Sequence, residues 1–262
     1  MKKKLSLVRK YWDKQPCNIN HSTKTFLSKE YFTEVKKKKY FVENHIKQFA
    51  NFKKYINKNI LEIGCGIGTD AIEFIRNNNN YIGIDYSSKS INICKTRVAR
   101  YNLEKYQPKF LLDNCETLKK VKNLKINFDL IYSFGVIHHT PNMKKCFDSI
   151  HAVASKNTEI KIMLYAKNSY KNFLINDSPY RYEAQKGCPI VYTVDDYDLE
   201  KLLGNKFKIL TKKQDFIFPY KIKPYKKGIY QKMEHFKFMP KKIFKILEKN
   251  IGEHLLLSLK KI

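Results

Sequence analysis

Two acids, Glu62 and Asp85, end the short apolar runs ILE and YIGID, and between them the chain reads GCGIG. Gly64, Gly66 and Gly68 stand at alternate positions, with Cys65 between the first two, and such a turn brings backbone close to a ligand. A dinucleotide fingerprint would read GxGxxG, its last glycine permitting close helix–strand packing, but Thr69 occupies that place. A carboxylate at Glu62, two residues ahead of the first glycine, is a poor neighbour for a pyrophosphate and suits a cationic ligand. Asp85, 21 residues after Gly64, can accept both hydroxyls of a ribose, which either ligand class presents. S-adenosylmethionine carries a sulfonium, an ammonium and a ribose, so the two acids favour it.

A second constellation is the pair His138 and His139, directly after the apolar segment FDLIYSFGVI. An imidazole titrates near pH ~6.5, so either ring could take a proton from a hydroxyl or phenol. Adjacent side chains point differently, so one at most faces a cleft. No carboxylate or third histidine stands at ligand spacing, and no metal is expected.

These residues need a scaffold, and the chain alternates in the required way. Short apolar runs bounded by turn residues predict strands over 60–64, 81–85, 109–112, 128–133 and 159–165. Helical periodicity predicts helices over 69–76, 88–101 and 142–154, with Ser87 or Ser88 and Asn142 as N-caps. This βαβ alternation means a parallel sheet with right-handed crossovers and helices on both faces. Further on, 195–203 reads as a helix, 206–212 as a strand and 253–260 as a closing strand. Residues 28–50 carry apolar positions at helical spacing behind Ser28. The expected organisation is an N-terminal helical or lid segment (1–55) and a cofactor-binding core (56–213). A basic, aromatic insertion or substrate cap (214–251) and the closing strand (252–262) follow.

At this point ILEIGCGIGTD, IGIDYSS, NCETL (114–118) and FDLIYSFGVIHHTPN together resemble the motifs of class I S-adenosylmethionine-dependent methyltransferases. The branch resembled is that of small-molecule enzymes of the type 11 kind. The resemblance implies a Rossmann-like seven-stranded sheet, mostly parallel with an antiparallel closing strand. It further implies that Glu62, Gly64, Cys65, Gly66 and Gly68 hold the methionine part of the cofactor, and that Asp85 takes the ribose with Tyr86 against the adenine. Asn114, where the family usually has an acid, and Cys115 fall near the adenine amino group. Ser133, Phe134 and Gly135 line the reacting centre. Tyr11 and Trp12 belong to a segment that folds across the cofactor in related enzymes. A second departure is HAVASKNTE (151–159), where the family has a Gly-Gly turn; Asn157 would tolerate a left-handed backbone there.

Composition narrows the remaining choices. Of the 52 basic residues 47 are lysine, and the formal charge is +28. The charge admits an RNA substrate, but recognition of phosphate and bases favours arginine, and lysine, asparagine and isoleucine together are what AT-rich coding produces. A small-molecule acceptor, methylated at oxygen or carbon, is therefore expected ahead of nucleic acid or a non-catalytic cofactor-binding role. The segment 240–251 is amphipathic; it is expected to pack on its own domain, with contact to an anionic membrane surface as the alternative. Six cysteines lie scattered without metal spacing, and no run suits a signal peptide or a membrane span, so a reducing, cytoplasmic setting is expected. Oligomeric state is not legible.

Overall fold

The computed structural model describes residues 2–177 and 187–262. Seven strands form one sheet: β1 (Asn59–Ile63), β2 (Asn80–Asp85), β3 (Lys109–Leu112), β4 (Leu130–Phe134), β5 (Glu159–Tyr165), β6 (Phe207–Asp215) and β7 (His254–Lys261). Their order is β3-β2-β1-β4-β5-β7-β6. The first five pair in parallel, and β7 runs antiparallel to both β5 and β6. This is the Rossmann-like sheet with an antiparallel closing strand that the sequence leads one to expect.

The helices are α1 (Lys2–Lys14), α2 (Lys29–Val42), α3 (His45–Ala50), α4 (Thr69–Ile75), α5 (Ser88–Arg100) and α6 (Lys119–Asn123). After them come α7 (Met143–Val153), α8 (Tyr170–Asp177), α9 (Asp196–Leu203), α10 (Ile222–Lys226), α11 (Glu234–Lys237) and α12 (Lys241–Ile251). Strand residues are apolar at both parities because both faces of the sheet are covered. Leu61, Ile63, Ile82 and Ile131 pack with Val121, Phe147, Ile150 and Leu199 on one face. Ile60, Tyr81, Leu130 and Tyr132 pack with Ile46, Phe74, Ile91 and Val98 on the other. Each fully buried isoleucine or leucine contributes about 1.5–3 kcal/mol, so these two layers fix the strand ends where the site lies.

The expected caps form. Ser28, Ser87 and Asn142 accept from the backbone N–H of Tyr31, Ser90 and Lys145, each at 3.0 Å. Three features differ from the sequence expectation. The apolar pattern over 28–50 is two helices, broken at Glu43 (φ −108°, ψ 59°), and the break carries Glu43 onto a cavity wall. Within the expected N-terminal helical or lid segment, where the sequence expectation places no helix ahead of residue 28, the chain forms α1, in which Leu5, Val8 and Trp12 make one stripe at helical spacing and line a cavity. The turn at 155–158 closes without a left-handed Asn157: the Thr158 hydroxyl accepts from Ser155 N–H at 2.9 Å and donates to Phe128 O at 2.8 Å. No described helix is long and apolar enough to cross a membrane.

Candidate active site

Strand order reverses at β1 and β4, and the crevice outside the carboxyl ends of parallel strands at such a point is where ligands bind. A cavity of about 190 Å³ lies there. Its floor is the turn after β1. Gly64, Gly66 and Gly68 all have positive φ (77°, 53° and 77°). At Gly68 a Cβ would lie 2.5 Å from Cys94 Sγ, so the turn seats directly on α5, whereas at Gly66 a Cβ would meet nothing within 4 Å. The turn is closed from below and open above.

Carboxylates surround the opening. Asp85 accepts from Gly66 N–H at 2.9 Å through Oδ2 and from Ser87 N–H at 2.8 Å through Oδ1. Burial lifts its pKa to about 6 against those hydrogen bonds. Glu62 accepts from the Tyr81 hydroxyl at 2.5 Å, reaching it across Gly83, its partner on β2. Burial, with the Asp70 and Asp85 carboxylates nearby, pushes Glu62 well above the usual carboxylate range. Asp70, which sequence reasoning missed, accepts from Lys39 Nζ at 2.9 Å, Tyr40 Oη at 3.0 Å and Tyr132 Oη at 2.9 Å. With Glu43 and Asp113, the wall carries five acids against one lysine, Lys39, among the described residues. In a chain of formal charge +28, this interior favours a cation, since a positive charge among them draws the acids into their ionised forms.

The other anticipated residues divide. Cys65, Tyr86, Asn114, Cys115, Phe134, Gly135 and His139 line the cavity; Gly68, Ser133 and His138 do not. Asn114 Oδ1 already accepts from Glu116 N–H at 2.9 Å. Cys115 Sγ lies 3.6 Å from Cys146 Sγ. Ser133 Oγ and both ring nitrogens of His138 are buried without a partner among the described residues. Burial, then the neighbouring His139 and Lys171, hold the pKa of His138 well below 6.5. His139 is depressed to about 4, chiefly by burial, and its Nδ1 lies 2.9 Å from Ile190 O. Both rings are neutral at pH 7.

Helix α1 roofs the cavity. Asp13 accepts from Ser87 Oγ at 2.8 Å, Ser88 Oγ at 3.3 Å and Lys89 N–H at 3.2 Å, while Trp12 packs edge-on against His139. Asp13→Ala should loosen this roof, weakening ligand binding in the cavity about 5–10-fold with little change in thermal midpoint, as for a lost hydrogen-bond set of about 1–1.5 kcal/mol. Calorimetry beside thermal denaturation checks it; an unchanged affinity would contradict the roof's role.

A second chamber of about 180 Å³ adjoins the first. Trp12, Cys17, Asn18, Lys39, Glu43, Tyr165 and His254 line both. Val42, Phe216, Phe218 and Tyr225 supply an apolar and aromatic wall to the second, the last three of them from the anticipated 214–251 cap.

A family model described as a methyltransferase domain matches residues 55–215. The chain belongs to this methyltransferase-domain family. Solved structures similar in fold include magnesium protoporphyrin IX methyltransferase from Synechocystis with its cofactor bound (TM-score 0.60, 13% identity, 99% of this chain and 97% of that one). Another is an S-adenosylmethionine-dependent methyltransferase from Anabaena variabilis (0.63, 14%, 98% and 95%). A third is geranyl diphosphate C-methyltransferase from Streptomyces coelicolor (0.62, 9%, 99% and 98%). No curated protein matches the chain in sequence.

Proposed function

We propose that the chain is an S-adenosylmethionine-dependent enzyme that methylates a small molecule at oxygen or carbon. The observation that carries this is an acid-lined cavity opening into a second, aromatic-walled chamber at the sheet's switch point. The residues present fit the cofactor: open space above Gly66, buried acids for its cationic groups, and Asp85 at the end of β2. Glu62, Gly64, Cys65 and Gly66 would hold the methionine part, Asp85 the ribose, Tyr86, Asn114 and Cys115 the adenine, and Phe134 and Gly135 the side facing the acceptor. When bound, the cofactor supplies an electrophilic methyl carbon on a sulfonium.

The chain's own contribution is position and dryness. Transfer is an in-line displacement, so the wall shared by the two chambers must hold the acceptor atom on the far side of the methyl carbon. Helix α1 and the 214–251 cap exclude water from above. The named acceptors of two similar folds, a porphyrin and geranyl diphosphate, support an acceptor of this size. The end of β4, Tyr132–Gly135, carries neither the Asn/Asp-Pro-Pro-Tyr/Phe motif of base-amino methylation nor the Pro-Cys motif of cytosine-5 methylation. A lipid-side acceptor has one observation in its favour: Ile243 and Ile246 of α12 and the neighbouring Phe238 are exposed among lysines, which suits contact with an anionic membrane. All six cysteines are free thiols, in keeping with a reducing, cytoplasmic setting.

The test is a cell extract incubated with the protein and methyl-labelled cofactor, then separated into small-molecule, lipid and RNA fractions. Label is expected in the small-molecule fraction. Label confined to RNA, with binding that falls steeply with salt, would overturn the proposal.

A further inference from the structure

Seven side chains form the wall common to both chambers, and a group that removes a proton from the acceptor must stand there. Lys39 is committed to Asp70 at 2.9 Å. Trp12 and Asn18 have no base. Tyr165 keeps its proton, because burial pushes the phenol well above 10, and Cys17 is an exposed thiol whose pKa lies above its ordinary value, so it too stays protonated at pH 7. His139 lines only the first chamber, and His138 neither.

Two groups remain, Glu43 and His254, and they face each other. Glu43 ends α2, where the helix break turns its side chain inward; it is half-buried, and Oε1 lies 3.9 Å from His254 Nε2. His254 opens β7 opposite Tyr165 of β5, at the carboxyl edge of the parallel strands. Its Nδ1 lies 2.9 Å from His45 Nε2, and the rings of Phe216, Phe134 and Tyr165 enclose it. The file His45–His254–Glu43 thus runs from the buried first turn of α3 to the junction of the chambers. Neither its geometry nor its residues belong to the cofactor-binding turn.

We propose that Glu43 is the general base for an acceptor hydroxyl, oriented by His254 and His45, which makes the enzyme an O-methyltransferase for phenols, enols or similarly acidic hydroxyls. This rests on the methyltransferase reading of the same site. In the step, the hydroxyl proton passes to a Glu43 carboxylate oxygen. The acceptor oxygen keeps the electron pair of the broken O–H bond and forms the O–CH3 bond, and the pair of the breaking S–CH3 bond stays on sulfur. In the tautomers this step uses, His45 Nε2–H donates to His254 Nδ1 at 2.9 Å, and the His254 Nε2–H lies on the Glu43 side, 3.9 Å from Oε1. His254 and His45 are positioning residues.

The protonation chemistry is suited to this. Burial raises the Glu43 pKa to about 7, with Lys39 and Lys171 opposing and Asp70 and Glu253 reinforcing. His254 is held neutral by burial and by His45, Lys171, His138 and Lys39 around it. His45 is depressed to about 4, chiefly by burial, with Asp215 opposing and Lys245 and Lys39 adding. A base that titrates near the working pH is the most effective one. Glu43 is the carboxylate form above about pH 7, so the rate should rise with pH through that value.

The experiment compares full-length wild type, Glu43→Gln and His254→Phe. It reads methyl transfer to the small-molecule fraction of a cell extract across pH, cofactor affinity by calorimetry, and carboxyl titration by infrared difference spectroscopy. Glu43→Gln is expected to lose about 10²-fold or more in rate at saturating cofactor and to lose the rising limb, beyond any change in cofactor affinity that removing one acid from the wall brings. The wild-type-minus-variant spectrum should show one carboxyl titrating near pH 7. His254→Phe should move that limb to higher pH, which a merely structural role would not do. Full rate in Glu43→Gln, an unchanged pH profile, or a loss confined to cofactor affinity would overturn the proposal. Failure of the wild type to bind the cofactor would count against the methyltransferase reading instead.

Discussion

Asp85→Ala is expected to weaken S-adenosylmethionine binding by about 10²-fold or more while leaving the protein folded. In the proposed binding mode the carboxylate accepts two ribose hydroxyls, and a hydrogen bond to a charged group is worth about 1.5–3 kcal/mol, with each 1.4 kcal/mol a factor of ten in affinity. The same carboxylate holds the Gly66 and Ser87 N–H groups, so its loss also loosens the glycine turn. Asp85→Asn keeps an acceptor oxygen and should fall between. Because burial raises the Asp85 pKa to about 6, affinity in the wild type should decline as pH falls through that value, and the decline should be absent in the alanine variant. Calorimetry at several pH values, with a thermal scan of each variant, checks both. An affinity unchanged in Asp85→Ala would show that the ribose lies elsewhere.

The second large effect concerns Arg97, fully buried beneath the turn. Its guanidinium donates to Thr69 Oγ1 at 2.7 Å, Phe32 O at 2.9 Å and Ile67 O at 3.2 Å, and it lies over the Phe32 ring. One side chain of α5 therefore ties α2 to the end of the glycine turn. Arg97→Leu leaves three acceptors without their donor, and a buried unpaired group costs about 1–3 kcal/mol. A loss of about 3 kcal/mol or more in unfolding free energy is expected by denaturant titration, together with weaker cofactor binding. A loss under about 1 kcal/mol would mean that water or rearrangement satisfies those groups.

These residues separate what was legible in the sequence from what was not. Glycine spacing, an acid at the end of β2 and a serine before α5 are local signals, each written within a few residues, so the turn and its strands could be read directly. Arg97 meets Phe32 across 65 residues, Asp70 meets Lys39 across 31, and His45 meets His254 across 209. No local pattern encodes such pairings; they exist only once the sheet order is set. The histidine pair at 138–139 illustrates the reverse. Its position after β4 is legible, but the 3-10 turn Ile137–His139 sends one ring into the cavity wall and seals the other. The formal charge of +28 describes the surface and hides an interior lined by acids.

The central claim, that this cavity receives a sulfonium cofactor rather than a dinucleotide, is tested most directly by titrating the full-length protein with S-adenosylmethionine and, in parallel, with NAD+. The expected result is saturable heat with S-adenosylmethionine, competed by S-adenosylhomocysteine and greatly reduced by Glu62→Ala and Asp85→Ala, with no heat from NAD+. Binding of NAD+, or no binding of S-adenosylmethionine at all, would contradict it.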